Sequence, residues 1–435
     1  MNPTTVPASL HPPLRGVHKE RFIAAPPGQA VYALSTSYCE AQGVSLLQAL
    51  RHEAAHDGIY YMPQRYLRRS EDNGRTWSVE GAIATEAPER REPVFRYPPQ
   101  FFLSRTRGRL IELSYEREVS LAEDQFEGSL AARTGRLFYR VSADGGKQWQ
   151  PRRQVIHHGA GFDAIHWMPG ASYGRNSMGG DLLPFEELED GTLVFGVNFR
   201  TVNRDGTLFY PHGQPGRYGG VAFLLGRWDA GSDAIAWSCS DPVEIDPSRS
   251  YAGITEPDLV HLGGGRLFST MRCQGDRPLG LFSSRQAAWS ADGGKSWSPP
   301  RPLAYEDGEP VAVPASFARF VRGPHSGKVY WIANILDRPV YGQVPRYPLA
   351  IAELDPERLC LVRSSVREIQ GLPAGAPACV DPATQRQEET GRRYTNFGLY
   401  TDRENGDVVL TLPEQPKTSW EDFTADCYRY RLPGL

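Results

Sequence analysis

The stretch SADGGKSW, residues 290–297, has two close relatives in the same chain, SADGGKQW at 142–149 and SEDNGRTW at 70–77. An Asp or Asn followed by Gly favours a tight hairpin turn, in which Ser and Asp side chains can cap backbone amides and the Trp can anchor the turn in apolar surroundings. An alternating apolar segment, typical of a strand, precedes each copy, as in LFSSRQAAW at 281–289. These eight-residue boxes therefore predict a repeated strand and turn rather than a binding site.

A longer unit, made of a strand, a Gly-containing turn and a second strand, recurs through the whole chain. Further strands follow each copy, and about four strands in each of six copies are typical of the blades of a propeller. The sequence thus predicts an all-β fold, a single six-bladed β-propeller over residues 1–435. Few strand residues follow the sixth copy, so we expect the N-terminal segment 1–19 to close the ring. The six copies are at 21–35, 95–115, 180–197, 256–272, 314–334 and 394–412.

Composition excludes several classes of protein. The formal charge is −3 over 435 residues and the basic residues form no run, which argues against a nucleic-acid partner. No run of about 18 apolar residues occurs, so we expect no membrane span. The six cysteines form no CxxC pair, which argues against a zinc ribbon or a redox motif. The N-terminus lacks the features of a signal peptide, so a cytoplasmic location is expected, or secretion if a leader has been removed.

The boxes and the number of blades resemble those of the sialidase (neuraminidase) superfamily, whose Ser-x-Asp-x-Gly-x-Thr-Trp boxes, called BNR repeats or Asp-box turns, occur in six-bladed propellers. The resemblance extends from about residue 20 to the end. It implies a glycoside hydrolase that removes a terminal acidic sugar, above all an α-linked sialic acid, from a glycan with retention and with no metal or organic cofactor. Because the boxes also occur in other propellers, they indicate the fold more strongly than the chemistry.

The resemblance also implies functional residues at the starts of three successive blades. TEPDLVHLGGGRLFSTMR at 255–272 supplies Glu256 and Arg272, RYPLAIAEL at 346–354 supplies Arg346, and YTNFGLYTDRENGDVVL at 394–410 supplies Tyr394 as the nucleophile. Chemistry supports this set, because Arg side chains bind a sugar carboxylate and a phenol needs a neighbouring carboxylate, here Glu256, to take its proton. A neutral nucleophile also avoids repulsion by the negative charge of the substrate.

A third substrate-binding arginine is implied at the opening of the first blade. FRYP at 95–98 offers Arg96, but this stretch follows the first box and so opens the second blade. The stretch that precedes the first box, and so opens the first blade, is ERFIAAPPG at 20–28, which contains Arg21. Both arginines are candidates.

The implied general acid lies in a loop after the hairpin of the first blade. Asp57 is the candidate, with its neighbour His56 as a substrate-binding residue, and Glu123 and Asp124 in the next blade are the weaker alternative. We expect residues 40–60 to form an inserted loop or a short helix at the mouth of the pocket.

Four other functions remain open. HEAAH at 52–56 has the H-E-x-x-H spacing that binds zinc on a helix, although no third ligand follows it. His52 and His56 could instead supply the base of a propeller polysaccharide lyase that acts on uronate-containing glycans. A glycosidase for another sugar, or a non-catalytic carbohydrate-binding propeller, would share the same fold.

Overall fold

A computed structural model describes residues 10–54, 64–78, 81–82, 94–118, 132–180, 182–213, 218–372, 393–414 and 424–435. Within these ranges, the strands form six antiparallel sheets of four or five strands. The sheets are the blades of a six-bladed β-propeller, so the predicted all-β fold is confirmed.

The first three blades contain strands β2 to β15. From the inner to the outer strand, blade one consists of β2 (Gln29–Tyr38), β3 (Leu46–Ala54), β4 (Gln64–Ser70) and β5 (Gly81–Ala82). In blade two, β6 (Val94–Arg96) and β7 (Gln100–Ser104) both pair with β8 (Arg109–Glu118), which is followed by β9 (Arg136–Ser142) and β10 (Arg153–Gln154). In blade three, β11 (Met178–Gly179) and β12 (Phe185–Glu187) both pair with β13 (Leu193–Arg200), which is followed by β14 (Gly219–Trp228) and β15 (Ile235–Cys239).

The last three blades contain the remaining strands. Blade four consists of β16 (Ile254–Gly263), β17 (Arg266–Cys273), β18 (Ser284–Ser290) and β19 (Arg301–Pro302). Blade five consists of β20 (Arg319–Arg322), β21 (Val329–Ala333) and β22 (Leu349–Asp355), and β22 also pairs with β23 (Cys360–Leu361) and β24 (Arg367–Gln370). Blade six consists of β25 (Gly398–Thr401), β26 (Val408–Pro413), β27 (Cys427–Leu432) and β1 (His18–Ile23). Short 3₁₀ helices occupy Pro247–Arg249 and Arg363–Ser365. No helix among the described residues combines the length and the apolar character needed to cross a membrane.

The ring closes through the N-terminal strand. β1 pairs with β27, with His18 opposite Arg431, and so forms the outer strand of blade six. This pairing corrects the prediction that residues 21–35 form one hairpin, because 21–23 belong to blade six whereas the inner strand of blade one starts at Gln29. Closure with a terminal strand removes an open sheet edge, which is the physical reason for the division.

The segment 40–54 also differs from its prediction as an inserted loop or short helix at the pocket mouth. Residues 40–45 form the turn that joins β2 to β3, with the amide of Cys39 bonded to the carbonyl of Ser45. Leu46–Ala54 is a strand that hydrogen-bonds to β2 on one side and to β4 on the other. Pairing on both edges outweighs the local helix propensity of LLQALR.

Each box lies between the third and fourth strands of its blade. In the first box, the Ser70 hydroxyl accepts from the amide of Gly74, and Asp72 Oδ1 accepts from the amide of Thr76, both at 2.8 Å. Trp77 Nε1 donates to the carbonyl of Gly74. The boxes at 142–149 and 290–297 repeat the Ser and Asp contacts. All three boxes therefore serve the turn itself, as their sequence predicts.

This connectivity gives the propeller two different faces. On the front face, the inner strands begin and the second strand of each blade leads to the third. On the opposite box face, the first strand leads to the second and the boxes turn. Functional residues at the starts of inner strands thus converge on the front face, away from the boxes.

Candidate active site

Blade four brings two predicted residues and one further arginine together on the front face. Thr255 lies opposite Arg272, and Arg272 lies opposite Arg285, on the adjacent strands β16, β17 and β18. Arg272 Nη1 donates to Glu256 Oε1 at 2.5 Å. Arg285 is 2% exposed; its Nη1 donates to the carbonyl oxygen of Glu256 at 3.3 Å, and its Nη2 donates to the carbonyl oxygen of Ser316.

Arg346 joins this group through two glutamines. Arg346 Nη2 donates to Gln343 Oε1 at 2.9 Å, and Gln343 Nε2 donates to Gln274 Oε1 at 3.3 Å. Gln274 Oε1 also accepts from Arg272 Nη2 at 3.4 Å. A continuous set of polar contacts therefore connects Arg346 of blade five with the Arg272–Glu256 ion pair of blade four.

The electrostatic surroundings keep Glu256 ionised. Burial alone would raise the pKa of Glu256, but the guanidinium groups of Arg272, Arg285 and Arg346 outweigh it and lower this pKa below its ordinary value. The side chain of Glu256 is still 29% exposed. Three guanidinium groups around one carboxylate leave two positive charges in excess, so the site attracts an anion.

The backbone of Glu256 is held in an uncommon conformation. Its φ is 47°, in the left-handed region that non-glycine residues seldom adopt. The amide of Glu256 donates to Asn198 Oδ1 of blade three at 2.6 Å, while Arg285 binds its carbonyl oxygen. Blades three and four therefore hold this one residue from both sides of its backbone.

We expect Asn198→Ala to lower the free energy of unfolding by about 1–3 kcal/mol, because it leaves the Glu256 amide without its acceptor. It should also weaken anion binding at the site, since Glu256 loses one of its two backbone anchors. Chemical denaturation and calorimetric titration with a carboxylate ligand measure the two effects. Asn198→Asp keeps an acceptor oxygen and should retain most of the stability, whereas wild-type behaviour of Asn198→Ala would contradict this account.

Tyr394 also lies on the front face, just before β25. Its amide donates to the carbonyl of Arg346 at 2.9 Å, and its carbonyl accepts from Asn334 Nδ2 at 3.1 Å. Its side chain is 0% exposed, belongs to the same core cluster as Tyr347 and Phe397, and has a buried hydroxyl oxygen. The structure thus places the backbone of the predicted nucleophile beside Arg346 and covers its phenol.

Arg21 and Arg96 are not brought to this group. Arg21 lies on the outer strand of blade six, is 64% exposed and is 3.8 Å from Asp426. Arg96 Nε donates to Glu116 at 3.0 Å among the charged side chains between blades one and two. Among the described contacts, neither arginine reaches Arg272, Glu256 or Arg346, because Arg21 lies on the outer strand of its blade and Arg96 is engaged by Glu116. The third guanidinium that acts on Glu256 is that of Arg285.

His56, Asp57, Glu123 and Asp124 lie outside the described residues, so the general acid stays a prediction. The zinc interpretation of HEAAH requires a helix, on which residues four apart share a face within reach of one metal ion. His52 and Glu53 instead stand on β3, where successive side chains point to opposite faces of the sheet. The local structure therefore does not support a zinc protease site.

Solved structures share this architecture. NanB sialidase from Streptococcus pneumoniae, as its K499G mutant, aligns with 95% of this chain and 70% of its own at a TM-score of 0.57 and 11% identity. The alignment with the intramolecular trans-sialidase from Ruminococcus gnavus, in complex with oseltamivir carboxylate, covers 95% of this chain and 96% of the trans-sialidase chain, at a TM-score of 0.57 and 11% identity. The alignment with Trypanosoma rangeli sialidase in complex with sialic acid covers 98% of this chain and 60% of that sialidase, at a TM-score of 0.53 and 10% identity.

The fold is that of the sialidases. No protein-family model and no curated protein matches the sequence. At 10–11% identity, the structural likeness establishes the sialidase fold and leaves the activity to be argued from the site.

Sequence reasoning missed Arg285 and Asn198. Both interrupt apolar strands, Arg285 in LFSSRQAAW and Asn198 in LVFGVNFR. A polar residue within such a strand is costly to bury unless it is hydrogen-bonded, so it signals a specific partner. The partner itself, the backbone of Glu256 in both cases, depends on the tertiary structure.

A second buried carboxyl lies two residues beyond Glu256. Asp258 is 1% exposed, and its Oδ1 is 4.0 Å from Arg319 Nη1. Burial raises the pKa of Asp258 to about 7, although Arg319 and Arg285 favour the ionised form. Asp258 is therefore a group that the folded protein holds partly protonated near neutral pH.

We expect Asp258 to make the protein less stable as the pH rises. Its pKa is about 7 in the folded state and near 4 in the unfolded state, so its contribution to stability is fully present below about pH 4 and is lost as the pH rises through 7. Asp258→Asn should remove this dependence, worth on the order of a few kcal/mol. Urea unfolding of both proteins at pH 5 and pH 8 measures it, and identical pH slopes would contradict the expectation.

Proposed function

We propose that this protein is a sialidase-like glycosidase that binds the carboxylate of an acidic sugar between Arg272 and Arg346. The observation that carries the proposal is the group of guanidinium side chains connected around Glu256, because guanidinium groups bind carboxylates through charge-assisted hydrogen bonds. An α-linked sialic acid is the substrate we favour, since solved structures of the same fold are sialidases and one of them contains sialic acid.

The proposed reaction proceeds with retention through a covalent intermediate. Tyr394 attacks the anomeric carbon, Glu256 accepts the phenolic proton, and Asp57 protonates the oxygen of the leaving group. Water then attacks the anomeric carbon and gives its proton to Asp57, while the bond to Tyr394 breaks and the phenol regains its proton from Glu256. This reaction requires movement of the side chains that cover Tyr394, because the phenol must contact the sugar.

Substrate binding would also prepare Glu256 for its part. In the free protein, Arg272 keeps the pKa of Glu256 low, which makes this carboxylate a weak base. A sugar carboxylate that binds Arg272 and Arg346 brings a negative charge close to Glu256. The pKa of Glu256 then rises, and the proton of Tyr394 is accepted more readily.

A product assay tests this proposal against its alternatives. The protein is incubated with a fluorogenic α-sialoside and, separately, with uronate oligosaccharides whose unsaturated products absorb in the ultraviolet. We expect release of sialic acid, about 10- to 150-fold slower in Arg272→Ala because a lost charge-assisted bond is worth about 1.5–3 kcal/mol. Arg153→Ala, which removes an exposed arginine of β10, is the matched control and should be fully active. An unsaturated product with no released sialic acid would instead identify a lyase.

One observation favours a second function, the binding of acidic sugars without catalysis. The hydroxyl oxygen of Tyr394 is buried, and a covered phenol cannot attack a sugar. Calorimetric titration with sialic acid separates the two functions. Binding that depends on Arg272, with no product from either substrate, would support a carbohydrate-binding propeller.

A further inference from the structure

The box face opens into a cavity that is separate from the residues of the candidate active site. It has a volume of about 420 Å³, within the range of small-ligand sites, and the inner strands of all six blades line it. Asp258 lies in its wall, two residues from Glu256 along β16. The cavity thus extends from the box face to the rear of the front-face site.

The most informative group in this cavity is the carboxyl of Asp258. Asp258 is 1% exposed, and its Oδ2 has no hydrogen-bond partner within the described parts of the chain. A buried oxygen without a donor is costly, so such an atom in a cavity wall indicates a place for a donor from a ligand. Glu186, on the inner strand of blade three, lies in the same wall and interacts electrostatically with Asp258.

The carboxyl groups of the cavity favour a ligand that carries hydroxyl groups. Glu186, Glu187 and Asp258 are the carboxyl groups of its lining, and burial raises the pKa of Glu186 and of Asp258 to about 7. Both groups are therefore partly protonated near neutral pH, so each can accept or donate a hydrogen bond, as a sugar hydroxyl can. The guanidinium groups of the lining belong to Arg105, Arg319 and Arg403.

Aromatic rings complete the lining. Phe102 and Phe185 have ring centroids 5.0 Å apart, and Phe397 lies in the wall formed by blade six. Rings offer apolar contact, whereas the carboxyl groups accept hydrogen bonds. A sugar ring presents both kinds of surface, because its hydroxyl groups donate and its C–H faces are apolar.

We propose that this cavity is a second ligand site, which binds a neutral monosaccharide or cyclic polyol through the carboxyl groups of Asp258 and Glu186. Asp258 Oδ2 accepts a ligand hydroxyl deep in the cavity, and Glu186 accepts a second one nearer the box face. The phenylalanine rings contact the apolar face of the ligand. This site is independent of the proposed glycosidase activity, because none of these side chains belongs to the Arg272–Glu256–Arg346 group.

Saturation-transfer NMR and calorimetry with D-galactose, D-glucose and myo-inositol test the proposal. At pH 8, where both carboxyl groups are mostly ionised, we expect at least one of them to bind, about 10-fold more weakly to Asp258→Asn and to Glu186→Gln, because each variant replaces an acceptor oxygen by an amide donor. Leu399→Trp, which fills the cavity from blade six, should abolish binding while far-ultraviolet circular dichroism shows an intact fold. Arg272→Ala should bind these ligands as the wild type does.

Three outcomes would overturn the proposal. The first is no binding of any of the three probes at millimolar concentration. The second is binding that Arg272→Ala removes and Asp258→Asn leaves unchanged, which would place the sugar on the front face. The third is binding of spermidine or acetate alone at this cavity, since neither probe carries the hydroxyl groups that Asp258 and Glu186 are proposed to bind. Absence of sialidase activity, in contrast, would leave these measurements unaffected.

Discussion

Tyr394→Phe is expected to reduce sialoside hydrolysis by at least about 1,000-fold, because it removes the oxygen that forms the covalent bond to the sugar. The ring stays in place among Tyr347 and Phe397, so the fold should change little. Binding of sialic acid should persist, since Arg272 and Arg346 are untouched. Turnover of a fluorogenic α-sialoside and calorimetric titration with sialic acid measure the two quantities separately.

Tyr430→Phe is the matched control for this substitution. Tyr430 is also 0% exposed and belongs to the same core cluster, but its hydroxyl donates to Glu414 at 2.9 Å. Its replacement should cost about 1–3 kcal/mol of stability, because Glu414 loses a buried donor, and should leave hydrolysis intact. Equal activity of Tyr394→Phe and the wild type would remove Tyr394 as the nucleophile.

Arg285→Met should lower the free energy of unfolding by about 3–5 kcal/mol, the usual loss when one partner of a buried charged group is removed. Burial lowers the pKa of Arg285 to about 10, so the guanidinium is still charged at neutral pH. Methionine fills similar space but leaves the carbonyl oxygens of Glu256 and Ser316 without this donor. Urea unfolding measures the loss.

The same variant tests whether Arg285 positions Glu256. Arg285 is one of the guanidinium groups that lower the pKa of Glu256, so its removal should raise that pKa. If Glu256 acts as the base, the acid limb of the pH–rate profile should move to higher pH, a change that a purely structural role would not produce. Arg285→Lys keeps the charge and should restore the profile in part.

Arg301→Met is the control for stability. It replaces an exposed arginine on β19 and should change the free energy of unfolding by less than about 0.5 kcal/mol. Unchanged stability and an unchanged profile in Arg285→Met would contradict both roles.

Much of the fold could be predicted because its signals are local. The box contacts join residues no more than four positions apart, as from Ser70 to Gly74, so an eight-residue pattern contains all the partners it needs. Strand β3 was not predicted, because LLQALR has a local helix propensity and its pairing with β2 and β4 is not visible in the sequence around it. The prediction of one hairpin at 21–35 was wrong because RFI and QAVYALS both have the pattern of a strand. Nothing in the local sequence shows that RFI pairs in blade six whereas QAVYALS pairs in blade one.

The candidate site was predictable only in part. Glu256, Arg272 and Arg346 follow from a resemblance in short motifs, and the structure connects them. Arg285 could not be assigned from its neighbours in the chain, because its role depends on strand register: Arg285 lies opposite Arg272, and its guanidinium reaches the carbonyl of Glu256.

The sequence by itself determined the six-bladed architecture, the box turns and three of the side chains around the front-face site, because each is encoded within one box or one hairpin. Only the tertiary structure decided that Arg21 lies on the outer edge of blade six, that Arg285 takes the third position near Glu256, and that Asp258 faces a cavity. The physical reason is the distance along the chain between partners. Glu20, next to Arg21, pairs with Arg429, 409 residues further on, and Arg285 bonds to Ser316 in the next blade.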